Sequence, residues 1–496
     1  MKMLVAYSMV SSHVQTTRDY LSAPLLYSGF DVDYLHVTLG ARMDASVLEP
    51  YQIVFHSYCA RLIFDNYVSS DYIEAMRTFP GLKVLAVQDE YDATDKLKAA
   101  IRSLGFQIVL TCVPQDELEK VYPKAEFPGV RFHTVYTGYV PDDFVTHSPK
   151  IVPLRDRPIR LGYRGRDIGP MYGRLGRDKF EIGARMLEIC TAEGLSCDIA
   201  MDEKSRIYGT AWFEFIGNCR AMLGTESGSN VFDFDGGIRR RFEEMTSELG
   251  RPPTYAEFEH QTVDKDRTIN MGQISPRVFE CALMRTPMIL LRGHYSGALR
   301  PGEHYIALEK DYSNATDVLR CLDDFDGLSA MADRTYRHLV ASGRFGYRHI
   351  WQNLAKMFAE RACELARDAA AGACLVQRQD GGSSSEFRDP EHPMFEVPTK
   401  HTKSLEDYNR QIEEASKVAH TKAPQSGLVI PLKCLPQKHK IGIAMALKWA
   451  LAAKDSGRSP TPKGRVLLLA WAMTPEPLRR RIMGRLEQMD CVRERL

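Results

Sequence analysis

Through the first 140 or so residues, short apolar runs alternate with segments of helical spacing. Residues 2–7, 32–37, 53–58, 83–87 and 107–112 are rich in Val, Ile, Leu and Tyr and read as strands, while 70–78 and 93–103 carry helical patterns. Such alternation is expected of a parallel, doubly wound sheet. A further strand is predicted over 133–144, ending in a Pro-Asp-Asp turn, and a linker with Pro149, Pro153 and Pro158 follows.

A second alternating unit begins at Ile159. Its predicted strands are 159–163, 197–201 and 220–224, with a helix over 179–193 and a helical insertion over 238–263 around the turn signal Gly250-Arg251-Pro252-Pro253. Residues 275–311 then read as helix, doubly buried strand, loop and strand, because the apolar run 288–291 follows Thr286-Pro287. A helix over 314–324 and a pair covering 328–365 complete the unit. The expected class is therefore α/β, with two tandem Rossmann-like domains at 1–147 and 148–345 and a closing helix at 346–368. Beyond it, 369–425 reads as linker or disordered chain and 426–496 as a basic helical tail, giving a helical C-terminal extension.

Composition narrows the function classes. The 496 residues exceed one ordinary core, and a formal net charge of +1 gives no reason to expect a nucleic-acid partner. No apolar run approaches the roughly 20 residues that span a bilayer. The N-terminus reads as a first buried strand, not a signal peptide. Eleven cysteines without a CxxC pair suit reduced thiols and a cytoplasmic location. In the tail, Arg479, Arg480 and Arg481 beside Ile482 and Leu486 would suit an anionic membrane surface or a partner protein. A solvated helical face is the plainer reading.

Candidate chemistry gathers at the predicted carboxyl ends of strands. Arg277 and Glu280 lie three apart and share a helical face. A carboxylate at the mouth of a parallel sheet is placed to accept hydrogen bonds from two ribose hydroxyls. The glycine-rich loop 162–179 contributes Arg164, Arg166 and Lys179, which together with helix amides would hold a diphosphate and stabilise it as a leaving group. Ser227, Ser229 and Asn230, in the polar loop after 220–224, suit contacts to the same donor. The Asp233/Asp235 spacing recurs at Asp31/Asp33 and at Asp264/Asp266, so it is unspecific and no metal site is assigned. In the first half, His13 follows the first strand as a base or ligand contact, or as a structural loop histidine. Asp89, with Glu90 and Asp92, would face acceptor hydroxyls; alternatively Asp92 or Thr94 caps the next helix.

With the stretch RVFECALMRTP at 277–287 in view, residues 1–365 resemble glycosyltransferases of the GT-B fold. The resemblance is to the group-1 or family-4-like type and its spore-maturation-protein-like branch. Glu280 matches the ribose-binding glutamate, Arg166 and Lys179 resemble the diphosphate-neutralising pair, and GYVPDDF at 138–144 looks like the end of a family N-terminal domain. Two positions depart from the pattern. Gly272 stands where better-studied members have a sugar-contacting glutamate, and Thr286 replaces the usual glycine before the proline. The resemblance implies sugar transfer from a nucleotide-diphosphate donor to a glycan, lipid-linked or small-molecule acceptor, with retention and without metal or cofactor. The alternatives are a nucleotide-sugar epimerase and a non-catalytic nucleotide- or partner-binding protein.

Overall fold

The structure is a computed structural model that describes residues 1–8, 14–38, 41–64, 67–142, 150–373, 395–396, 406 and 409–410. In the first half the strands are β1 (Lys2–Tyr7), β2 (Asp31–His36), β3 (Ala41–Arg42), β4 (Ile53–His56), β5 (Leu82–Ala86), β6 (Ile108–Thr111) and β7 (Arg131–Thr134). All but the two-residue β3 join one sheet in the order β2-β1-β4-β5-β6-β7, parallel throughout. The register sets Met3 beside both Val32 and Ile53. Residues from β1, β4, β5 and β6 are buried on both faces, as the unbroken apolar runs require.

The second half repeats the plan. Strands β8 (Ile159–Arg164), β9 (Cys197–Ala200), β10 (Cys219–Gly224), β11 (Met288–Leu291) and β12 (Ile306–Leu308) form a parallel sheet in the order β12-β11-β10-β8-β9. The fold is thus α/β with two Rossmann-like halves in tandem, as the alternation predicts. From β8 the chain winds outward to β9, and from β10 it winds the other way to β11. The carboxyl ends of β8 and β10 therefore flank a topological switch point, where open α/β sheets leave a crevice.

Several boundaries differ from the sequence reading. The strand expected over 133–144 ends at Thr134, and 143–149 lie outside the described residues. The helix expected from Lys179 begins at Gly173. Its glycine-rich first turns look loop-like in sequence, yet Gly173 and Gly176 are buried there. A Cβ on Gly173 would lie 2.5 Å from Val231 Cγ2, so the glycine permits a close approach. The segment 314–324 divides into helix Ala315–Arg320 and a tight turn Cys321–Asp323. The basic tail at 426–496, and nearly all of the linker, lie outside the described residues. The described part of that linker includes β13 (Phe395–Glu396), which pairs in parallel with β3. Among the described residues no helix is long and apolar enough to cross a membrane.

Backbone and side-chain bonds join the two halves. Asp233 N donates to Tyr91 O at 2.8 Å, Asp95 N to Phe234 O at 2.9 Å, and Gln273 Nε2 to Cys112 O at 2.6 Å. Arg239 pairs with Asp92 at 2.9 Å. The long helix Tyr347–Ala373 returns from the second half and packs on the first, where Trp351 and Phe358 enter the core around Phe55.

Candidate active site

A cavity of about 530 Å³ opens at the switch point of the second sheet. Its wall is built from the ends of β8 and β10, the helices Thr210–Gly217 and Pro276–Leu283, and Val14, Gln15 and Asp19 of the first half. Arg164, Arg166, Lys179, Ser227, Arg277 and Glu280 all line it. Residues spread over more than a hundred positions thus meet around one volume.

Their electrostatics separate them. Arg166 is exposed and makes no ion pair with any described residue. Lys179 is half-buried in the second turn of helix Gly173–Ala192, with Nζ 3.4 Å from Gly228 O. Burial pushes its pKa down to about 8; Asp89 pulls it back, while Arg166 and Arg277 push it further down. Arg277 lies with its guanidinium carbon 4.9 Å from the ring centre of Tyr163 and 5.6 Å from that of Trp212. It donates to Arg164 O, and its Nε is buried without an acceptor among the described residues. Neither Lys179 nor Arg277 pairs with a carboxylate among the described residues. Positive charge held at a cavity wall without carboxylate partners is a site for an anion.

Arg164 is different. Its guanidinium pairs with Asp198 at 2.8 Å, donates to Asp198 O and Ser205 O, and stacks 4.2 Å over Phe215. It braces β8 against β9, and its charge is already neutralised. This revises the expectation that it supplies charge to a diphosphate.

Glu280 accepts from Trp212 Nε1 at 2.8 Å. Burial raises its pKa, the Trp212 hydrogen bond and Arg277 oppose that, and Asp19 adds to it. Ser227 lines the cavity and exchanges backbone hydrogen bonds with Gln273 at 2.8 and 3.3 Å. Ser229 and Asn230 do not reach the cavity. The Ser229 hydroxyl, fully buried, is engaged with Tyr172 O, Val231 O and Val231 N, and Asn230 Oδ1 accepts from Met271 N at 2.9 Å. Both side chains hold the loop that the sequence reading had touching the donor.

In the first half, His13 lies outside the described residues. Asp89 sits in the loop after β5 with a left-handed backbone, φ 56°. It pairs with Arg61 at 2.6 Å and accepts from Tyr91 at 2.6 Å. Glu90 faces inward instead of toward an acceptor. It is fully buried among Thr111, Cys112 N and Tyr122, and burial raises its carboxyl to about 7. The helix cap expected from Asp92 or Thr94 is absent, because Ala93 (φ 46°) occupies the cap and the Thr94 hydroxyl donates to Glu90 O. Asp233 and Asp235 accept from the backbone amides of Ile238, Arg239 and Gly237 at the start of helix Gly237–Leu249.

No known family's sequence model matches the chain, and no curated protein matches it. Solved structures resemble it in shape. One is Anabaena Alr3699/HepE in complex with UDP, at 10% identity and TM-score 0.43, covering 73% of this chain and 100% of that one. Another is an alpha-glucosyltransferase in complex with UDP and a 13-mer DNA containing a HMU base, at 11% and 0.42, covering 69% and 96%. TarM is similar at 9% and 0.33, covering 62% and 54%. At identities and TM-scores this low, the functional reading rests on this chain's own geometry.

Two lining residues escape a sequence reading. One is Trp212, whose indole holds Glu280 from 68 positions away. The other is Glu226, in the loop just past β10, which accepts from His294 N at 2.6 Å and Tyr295 N at 3.4 Å. Gly272 has φ +38°, and a Cβ there would lie 2.9 Å from Glu226 Oε1. The volume a side chain at 272 would enter is thus taken by a carboxylate from the loop after β10. Gly272→Ala is expected to cost about 1–3 kcal/mol in a denaturant titration, because it adds both left-handed strain and this clash. The double variant with Glu226→Ala should show a coupling that isolates the clash from the strain.

Proposed function

We propose that this chain is a glycosyltransferase that moves a sugar from a nucleotide-diphosphate donor to an acceptor in the cleft between its two halves. One observation carries the reading: a carboxylate held in place, Glu280, lies in the same switch-point cavity as Arg166, Lys179 and Arg277, cations without carboxylate partners among the described residues. That arrangement suits a ligand with vicinal hydroxyls at one end and a diphosphate at the other.

The mechanism follows from the charges. Glu280 accepts from the ribose hydroxyls. Lys179, Arg166 and Arg277 bind the diphosphate and stabilise the negative charge that grows on it as the glycosidic bond breaks, so no metal ion is required. Glu226 and Ser227, which line the same cavity, are assigned to the sugar. The acceptor (glycan, lipid-linked or small molecule) enters from the first half, on the side of Asp89, and transfer proceeds with retention. The reaction takes place in the cytoplasm, at the membrane when the basic tail engages it.

The test is incubation of the full chain with a panel of nucleotide sugars. Release of free nucleoside diphosphate, faster with an acceptor present, is the expected result. An isomeric nucleotide sugar would replace transfer with epimerisation, and binding without turnover would leave a nucleotide-binding protein. Glu280→Ala is expected to weaken nucleoside diphosphate binding by about 10- to 100-fold in calorimetry, the worth of hydrogen bonds to a charged group. Inorganic pyrophosphate should bind Glu280→Ala as it binds the native protein.

A further inference from the structure

The geometry points to Trp212 as a positioning residue that makes this site select ribose over 2′-deoxyribose; we propose this role on the donor-site reading above. Trp212 lies on the helix Thr210–Gly217, which begins after Gly209 at φ 63°. Its Nε1–H donates to Glu280 Oε2 at 2.8 Å, and among the described residues no other side chain hydrogen-bonds that carboxylate. An indole nitrogen is a donor only, on a rigid ring, so it fixes one carboxylate oxygen and sets the plane of the group. Oε1 and the second lone pair of Oε2 are left for ligand hydroxyls.

The same ring is held by two neighbours. Phe215 stacks on it at 5.8 Å between ring centres and 25° between planes, and Arg277 lies 5.6 Å from its centre. Phe215 in turn carries Arg164, which is paired with Asp198. The indole is therefore immobilised by a network anchored on β8 and β9, and it transfers that rigidity to Glu280. Glu280 also needs the N–H because burial and Asp19 both favour its neutral form, which the indole hydrogen bond opposes. A carboxylate held in one orientation can accept from both ribose hydroxyls at once. With one hydroxyl missing, a lone pair in the cavity wall stays unpaired, and that loss is the source of selection.

The experiment uses the full chain and calorimetry. Native protein, Trp212→Phe and Trp212→His are titrated with the tightest binder among ADP, CDP, GDP and UDP, with its 2′-deoxy counterpart, and with inorganic pyrophosphate. Native protein should prefer the ribonucleotide by about tenfold or more. Trp212→Phe keeps a ring over Arg277 but has no N–H, so the preference should fall to about twofold or less while pyrophosphate affinity stays within about twofold of native. Trp212→His, which restores a ring donor, should recover part of the preference. A Trp212→Phe protein with the native preference overturns the inference, as does one that loses all three ligands equally. Folding of the variants does not limit the test, because the four tryptophans can also be followed in native protein by indole 15N spectra. One indole signal should shift with the ribonucleotide and not with pyrophosphate, and the absence of such a signal also overturns the role of Trp212. Native protein that binds pyrophosphate but no nucleoside diphosphate would overturn the donor reading itself, and this inference with it.

Discussion

Replacing Lys179 with methionine is expected to lower kcat/KM for sugar transfer by about 10²–10³-fold, the usual cost of removing one donor aimed at a developing anion. Methionine is unbranched, only one atom shorter, and discards the charge, so helix Gly173–Ala192 should persist and melting should change little. The size of the effect follows from placement. Lys179 is half-buried, lacks a carboxylate partner among the described residues and lies close enough to Arg166 and Arg277 for both to depress its pKa. A diphosphate relieves that repulsion, whereas bulk water relieves it only in part. The pH dependence has a definite sign. With the free group titrating at about 8, nucleotide affinity is greatest below that pH and falls above it, approaching tenfold per unit. The fall levels off at the higher pKa that the lysine acquires beside the bound phosphates. Calorimetry across pH 6.5–10 checks this; Lys179→Met should be flat over the range in which the native protein changes.

Trp351→Ala is expected to destabilise the protein by about 3–5 kcal/mol, a large part of the 5–15 kcal/mol that holds a typical fold. Trp351 is 1% exposed and meets Phe55 edge-on at 5.1 Å and 81°, with Phe358 at 6.2 Å and 85°. Phe55 belongs to β4, in the first sheet, while Trp351 arrives on a helix that follows the second. The variant opens a cavity in the first core and loosens the helix that returns to it. Tyr347, whose ring lies tilted against that of Tyr139 at 5.5 Å, and the Arg131–Glu364 pair at 2.8 Å remain along the same interface. A urea titration should show a lower midpoint, and exchange of amide hydrogens in Tyr347–Ala373 should accelerate first.

Much of the layout is legible in the chain because alternation of apolar runs and helical spacing is a local property. Helix Ser70–Thr78 and strand Met288–Leu291 coincide with the predicted segments. Where glycine crowds a sequence, the reading falters: the start of Gly173–Ala192 looks like a loop because its buried glycines give no apolar periodicity. The turn at Thr286 shows a second kind of limit. The left-handed conformation falls on Arg285 (φ 48°), and the Thr286 hydroxyl donates to Ile216 O while accepting from the buried Arg157. A threonine can stand there because its side chain has partners that no local pattern announces.

The sequence by itself determined the two alternating halves, the shared helical face of Arg277 and Glu280, and the basic character of the segment after β8. Only the tertiary structure decided which of those groups remain available to a ligand. Arg164 and Arg166 differ by two positions, yet one is neutralised by Asp198 from the next strand and the other stands exposed at the cavity. Ser229 and Asn230 have suitable chemistry and are taken up by neighbours, while Trp212 enters the site without any signal and Glu226 enters it from the loop credited to its serines. The physical reason is that pairing of charges and hydrogen-bonding groups depends on distance in space. The strand order β12-β11-β10-β8-β9 sets those distances, and it brings together residues that lie far apart along the chain.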